Sequence, residues 1–184
     1  MSKVNLETPL TNEKVKNLQI GDEVFLSGII YTARDAAHKK LVDMIHDNKA
    51  LPFDVQGSVI YYVGPTPAQP GQAIGAAGPT TSYRMDPFVE DMLKAGMKGM
   101  IGKGARSKPV IEALKKYTGV YFGATGGAAA LISKCIKKAE VIAFDELGPE
   151  AVRKLEVKDM PLVVINDATG KDLYEEGRKA WENK

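Results

Sequence analysis

Three consecutive hydroxyl residues, Thr80, Thr81 and Ser82, lead through Tyr83 into Arg84 within the run GPTTSYRMDP, residues 78–87. A hydroxyl both donates and accepts hydrogen bonds, and a guanidinium is a planar fork matched to a carboxylate or phosphate. Pro79 fixes its own φ and pushes Gly78 toward extended geometry, so the backbone reaching Thr80 is held stiffly. Such a run can aim a hydroxyl beside a bound anion. On composition alone it can equally be a polar turn capping the helix that follows.

Further basic residues raise the same question. In YTARDAAHKKL (31–41), Arg34 falls in the first turn of an expected helix, where the macrodipole disfavours a cation. Arg84 also stands just before a helix start. An anion between the two arginines would remove that penalty, because helix N-termini present free N–H groups to it; the alternative is that each guanidinium extends into solvent. Lys103, flanked by glycines in GKGARS (102–107), can project an ammonium from a strand end. That stretch is not a P-loop, since Met97 and Gly104 occupy the positions that require Gly and Ser/Thr, and GATGGAAA (123–130) does not fit G-x-G-x-x-G. His38, one helical turn after Arg34, reads as a structural histidine packed beneath it, and its spacing from His46 does not make a metal site. Asp35 and Lys39 read as an ordinary helix-surface pair.

These side chains need a scaffold. Residues 23–31, EVFLSGIIY, read as a strand after the turn signal Gly21-Asp22. Ala33, Ala37, Leu41, Met44 and Ile45 then recur at helical spacing to about Asn48, with Thr32 as the expected N-cap. SVIYYV (58–63) is a second strand and GPTPAQPGQ (64–72) a connection. Asp86 as N-cap with Pro87 in the first turn predicts a helix ending at Gly96. KGMIG (98–102) predicts a short strand delivering Lys103, and Ser107 opens a helix to about Tyr117. GVYFGA, AEVIAF and PLVVIN read as strands, GGAAALISKCI as a helix, and the tail KDLYEEGRKAWENK as amphipathic. Strands interleaved with helices indicate α/β or mixed α+β layering.

At 184 residues and 44% apolar content, one domain spanning 1–184 is expected. Twenty-five basic against twenty-three acidic residues, both signs dispersed, argue against a nucleic-acid partner. No stretch approaches the roughly 18 apolar residues that cross a bilayer, and MSKVNLETPL lacks a signal-peptide pattern, so no membrane association and a cytoplasmic location are expected. Cys135 is the single cysteine and reads as a small buried core residue. One thiol excludes an internal disulfide and a thiolate-held metal cluster built by this chain alone.

In order and spacing, YTARDAAHKKL, GPTTSYRMD and GKGARS resemble the β-subunit of the iron–sulfur hydro-lyases, class I fumarate hydratase and L-tartrate dehydratase. The resemblance implies a three-layer, swivelling β/β/α domain. It also implies a hetero-oligomer with a separate α-subunit, whose own cysteines hold a [4Fe-4S] cluster, and an isolated chain that is inactive. Carried over to this sequence, Arg34 and Arg84 would clamp the substrate carboxylates and Lys103 would add a further cationic contact. Thr80 would be the hydroxyl that moves the carbon-bound proton, and Thr81 and Ser82 would bond to backbone or substrate. Tyr83 departs from the family pattern. The implied activity is reversible hydration of fumarate to (S)-malate, with L-tartrate or a methylated fumarate as alternative substrates. In that chemistry the partner's open iron serves as Lewis acid for the leaving hydroxyl, while preorganised cations stabilise charge developing on the carboxylate. A non-catalytic anion-binding module and a nucleotide-binding protein are the rival readings.

Overall fold

The computed structural model describes residues 2–124 and 129–182. In β2 (Glu23–Thr32), Val24, Leu26, Ile30 and Thr32 are buried, which gives this strand one committed face. Along one edge it pairs in parallel with β1 (Lys3–Glu7) and, at Tyr31 and Thr32, with β3 (Val59–Tyr61). Its other edge pairs antiparallel with the long β7 (Val152–Asn166). From β3 the sheet continues in parallel through β4 (Gly99–Gly102) to β5 (Val120–Gly123), and β5 meets the far end of β7 antiparallel. Strands β2, β3, β4, β5 and β7 thus close a barrel-like ring, with β1 and the antiparallel β6 (Ile136–Ala143) outside it.

The two-residue period of the parallel strands creates two cores. Val59, Tyr61, Val63, Ile101, Val120 and Phe122 point into the ring, against Val24, Leu26, Ile30 and the β7 residues Leu155, Val157, Met160 and Leu162. Ile60, Tyr62, Met100 and Tyr121 point the other way, under α2 (Asp35–His46), α3 (Asp86–Ala95) and α4 (Lys108–Tyr117). A helical layer, the parallel strands and the antiparallel β2–β7 face therefore stack as three layers, a mixed α/β arrangement of the kind expected. The short α1 (Asn12–Lys16) adds Val15 to the first core, and α6 (Leu173–Glu182) lies on the surface with no fully buried residue. No helix among the described residues is long and apolar enough to cross a membrane.

Several boundaries differ from expectation. α2 starts at Asp35 with Arg34 as N-cap residue; Thr32 stays in β2, where its hydroxyl donates to Ala151 O (3.2 Å) and accepts from Arg153 N (3.0 Å). Asp86 begins α3 rather than capping it, and its carboxylate serves α4 instead. β1 and the first half of β7 carry too many charges to show as apolar runs, and neither was expected. The helix expected at GGAAALISKCI is α5 (Ala129–Cys135), its first residues lying outside the described ones. Cys135 is partly buried rather than fully so, with Sγ near the carbonyls of Leu131 and Asp159, and burial pushes its thiol pKa up.

Candidate active site

β2, β3 and β4 are parallel neighbours, so their C-terminal ends open on the same rim, the place where parallel sheets hold ligands. Arg34 follows β2, the 78–84 loop lies across the end of β3, and Lys103 follows β4. Val63 bridges to Pro79, Thr80 N–H donates to Tyr62 O at 2.8 Å, and Thr81 bridges in parallel to Lys103. The three motifs, far apart in the chain, meet at one rim.

The hydroxyl run is divided in its work. Ser82 is fully buried. Its backbone N–H donates to Lys103 O (3.0 Å), and its Oγ accepts from Lys103 N–H (3.1 Å) and lies 2.9 Å from Tyr121 Oη. Tyr121 donates its single proton to Gly104 O (2.9 Å), so Ser82 is the donor to Tyr121. This chain of bonds locks the Thr80 loop to the Lys103 loop, and it commits the only proton of the buried Ser82 hydroxyl to Tyr121. Gly102 is required here, because a Cβ on it would overlap Ser82 Oγ. Thr80, by contrast, is half-buried, and its Oγ1 accepts from Arg84 Nη2 at 2.8 Å. Lys103 is exposed and has no ion-pair partner among the described residues. Tyr83 is 63% exposed and points away from the core.

Arg34 and Arg84 do converge, and Asp35 stands between them. Its Oδ1 is 3.5 Å from Arg84 Nε and its Oδ2 3.9 Å from Arg34 Nη2. Asp35 is thus turned to the rim, and the helix-surface pair expected with Lys39 is replaced by this bridge. A second acid, Glu150, was not anticipated: Oε1 is 3.1 Å from Arg34 Nη2, and Oε2 accepts the Ala36 N–H at 3.1 Å. The anion foreseen at this helix N-terminus is therefore supplied, in part, by the chain itself.

His38 is fully buried beneath Arg34, as its spacing suggested. Its Nδ1 lies 3.0 Å from Arg34 O, which fixes the proton on Nδ1, and its ring meets Tyr62 edge-on and stacks on Phe88. Nε2 is buried with no hydrogen-bond partner, and desolvation lowers the pKa to about 4. Arg106 was passed over in the sequence although it lies in GKGARS. Its guanidinium is fully buried between the rings of Tyr62 and Tyr121, donates from Nε to Asp86 Oδ1 (2.9 Å), and places Nη2 2.8 Å from the same oxygen. Asp86 Oδ2 also accepts the Ser107 N–H at 2.9 Å, at the start of α4. No three His, Cys, Asp or Glu residues among the described ones come together as a metal site. The glycine run GATGGAAA crosses Thr125–Ala128, outside the described residues.

The model of the family described as "Fumarase C-terminus" matches residues 1–177. The chain is similar to the protein of Methanocaldococcus jannaschii named "Putative L(+)-tartrate dehydratase subunit beta", at 42% identity over 180 residues that cover 94% of this chain and 92% of that protein. It is 41% identical over 182 residues to "Putative fumarate hydratase class I" of Geobacillus stearothermophilus, covering 96% of this chain and 34% of that protein. It is 40% identical over 176 residues to "Fumarate hydratase 2" of Leishmania major, covering 94% of this chain and 31% of that protein. The chain thus spans nearly all of the first relative and about a third of the two fumarate hydratases. With its three motifs gathered at one rim and the family model running over almost its whole length, the chain belongs to the fumarase C-terminus family.

Proposed function

We propose that this chain is the β-subunit of a two-chain hydro-lyase that hydrates fumarate reversibly to (S)-malate, and that it supplies the carboxylate grip and one proton-transfer group. The observation that carries this reading is the 2.8 Å bond from Arg84 Nη2 to Thr80 Oγ1, at a rim shared with Arg34 and Lys103. A threonine hydroxyl is a weak base in water; a guanidinium donating to its oxygen stabilises the negative charge it acquires on losing its proton. Thr80 Oγ1 accepts that bond while its own proton remains available for delivery to carbon.

In the hydration direction the Thr80 O–H bond breaks and a C–H bond forms beside a carboxylate; in dehydration the same proton returns to oxygen. The electron pair left on carbon spreads into the adjacent carboxylate, which gains charge in the transition state. Arg34, Arg84 and Lys103 are the cations at that rim. The two guanidiniums, held by Glu150 and Asp35, stabilise the charge as it develops with little reorganisation, and Lys103 adds an exposed ammonium at the same rim. The residues present do not fit a [4Fe-4S] cluster, because the chain has one cysteine and its thiol faces backbone carbonyls on α5 and β7. The cluster is accordingly read as the α-subunit's, and this chain's part ends at the proton and the carboxylates.

L-tartrate is the second reading of the substrate, favoured by the relative that this chain matches over nearly its full length. Anaerobic co-expression with the candidate α-subunit tests both. Appearance of the fumarate absorbance on adding malate, only with both chains present, supports the first reading. Turnover of tartrate without malate moves the substrate and keeps the mechanism. A stable complex with an intact cluster that acts on neither would favour the non-catalytic anion-binding module.

A further inference from the structure

Glu150 lies 114 positions beyond Ala36 in the chain yet closes the N-terminus of α2. Its carboxylate has two tasks at once, holding Arg34 Nη2 through Oε1 and the Ala36 N–H through Oε2. The segment that carries it is fixed in turn. Arg153 donates from Nη2 to Gly148 O (2.9 Å) and from Nη1 to Pro149 O and Ala151 O (3.1 Å each), and Thr32 Oγ1 donates to Ala151 O. Gly64 lies against the guanidinium as well, since a Cβ there would stand 2.7 Å from Arg34 Nη1. Arg34 is therefore held in a slot with one nitrogen spent on Glu150.

Resting on the hydro-lyase reading above, we propose that Glu150 is the positioning residue for the Arg34 carboxylate clamp. A free arginine side chain samples many rotamers, and a bound substrate would otherwise have to overcome that entropy. A carboxylate anchored on backbone N–H and guanidinium together removes that freedom before substrate arrives. Its negative charge works in the opposite direction by repelling a dicarboxylate. Occupying Nη2 directly, and being part-neutralised by the helix terminus, Glu150 acts through geometry more than through repulsion.

The two effects predict opposite signs, which makes the test decisive. In the complex assembled with the α-subunit, Glu150→Ala is expected to raise KM for the dicarboxylate about tenfold while kcat changes by less than about threefold. Formate, which can refill the vacated seat, should bring KM back down in Glu150→Ala and have no such effect in Arg34→Ala. An unchanged or lowered KM in Glu150→Ala, or formate acting there as an inhibitor, would overturn the proposal. If Glu150→Ala does not fold, Glu150→Gln keeps the size but has one acceptor oxygen where two are used, and a rise in KM in the same direction is expected of it. A readout without turnover uses the full chain alone. The Arg34 Nε–H resonance, identified by its loss in Arg34→Lys, should be sharp in the wild type, broadened in Glu150→Ala and sharpened again by formate. That result holds even if the complex turns over no hydroxy acid, so failure of the substrate assignment and failure of the positioning role are separable. A sharp resonance in Glu150→Ala without formate would sink the positioning role.

Discussion

Arg84 Nη2 donates to Thr80 Oγ1 at 2.8 Å, because the 3₁₀ turn Ser82–Met85 folds the arginine back over the residue four before it. On the hydro-lyase reading proposed above, the contact would couple grip to proton transfer, and the two residues should fail in different ways. Thr80→Val keeps the shape and removes the hydroxyl; it is expected to lower kcat by about 10²–10⁴-fold, the usual span of general acid–base catalysis, with KM little changed. Thr80→Ser should retain much of the activity. Steady-state kinetics of the assembled enzyme decides the matter, and near-normal turnover in Thr80→Val would remove Thr80 from the proton step.

Arg84→Lys retains the charge but loses the planar fork that serves Thr80 and Asp35 together. An ammonium at the end of a flexible stem cannot make both contacts in one geometry, so kcat and KM should both worsen, each by about tenfold or more. Equal kinetics for Arg84→Lys and wild type would show that only charge is needed at this position.

The lock between the two loops is testable at Gly102. A methyl group there meets Ser82 Oγ and the Tyr62 ring, so Gly102→Ala must shift the Thr80 loop away from Lys103. We expect kcat/KM to drop by about 10²-fold, in line with a displacement of the order of 1 Å at a reacting group, in a chain that still folds. Unaltered kinetics in a folded Gly102→Ala would mean that the distance between these loops is not critical.

Much of this site was legible in the sequence, for physical reasons that can be named. Thr80 follows Pro79 and Lys103 stands between Gly102 and Gly104, residues whose backbone properties announce shaped loops, and the apolar periods of β2, α2, β3 and α4 placed those loops at element ends. What could not be read were groups that depend on the closure of the ring. Glu150 reaches α2 only because β7 returns along β2, so nothing near Arg34 in the chain announces it. Arg106 stood in plain view within GKGARS, but that its charge is buried follows from Tyr62 and Tyr121 flanking it and from Asp86 facing it, each on a different element. Thr32 has the ideal type for an N-cap, yet the strand pairing to β7 claimed its hydroxyl first.

Arg106 and Asp86 form a pair whose side chains are 0% and 13% exposed, and breaking it should be costly. Asp86→Asn leaves a buried guanidinium without its counter-charge and weakens the bond that starts α4. A loss of about 3–5 kcal/mol in unfolding free energy is expected, measurable by urea denaturation of the isolated chain. Arg106→Met alone should cost as much, because it strands the Asp86 carboxylate, while combining it with Asp86→Leu should recover much of the loss. Additive single and double variants would show that the two side chains are not energetically coupled.

His38 gives the fold an acid sensitivity with a definite sign. Its native pKa is held near 4, chiefly by desolvation and further by the charge of Arg106, whereas an unfolded histidine titrates near 6.5. Between those values the unfolded chain binds a proton that the native chain refuses. Stability is therefore fully present above about pH 6.5 and falls as pH is lowered toward 4, by about 3 kcal/mol in all. The interval from pH 5 to 6.5 is where an unfolded histidine takes up its proton and the native His38 does not, so the comparison is made there. In His38→Gln, whose amide can still donate to the Arg34 carbonyl, the decline over that interval should flatten. Parallel losses in wild type and His38→Gln between pH 5 and 6.5 would show that another group carries the acid sensitivity, and would place the His38 pKa close to its ordinary value despite complete burial.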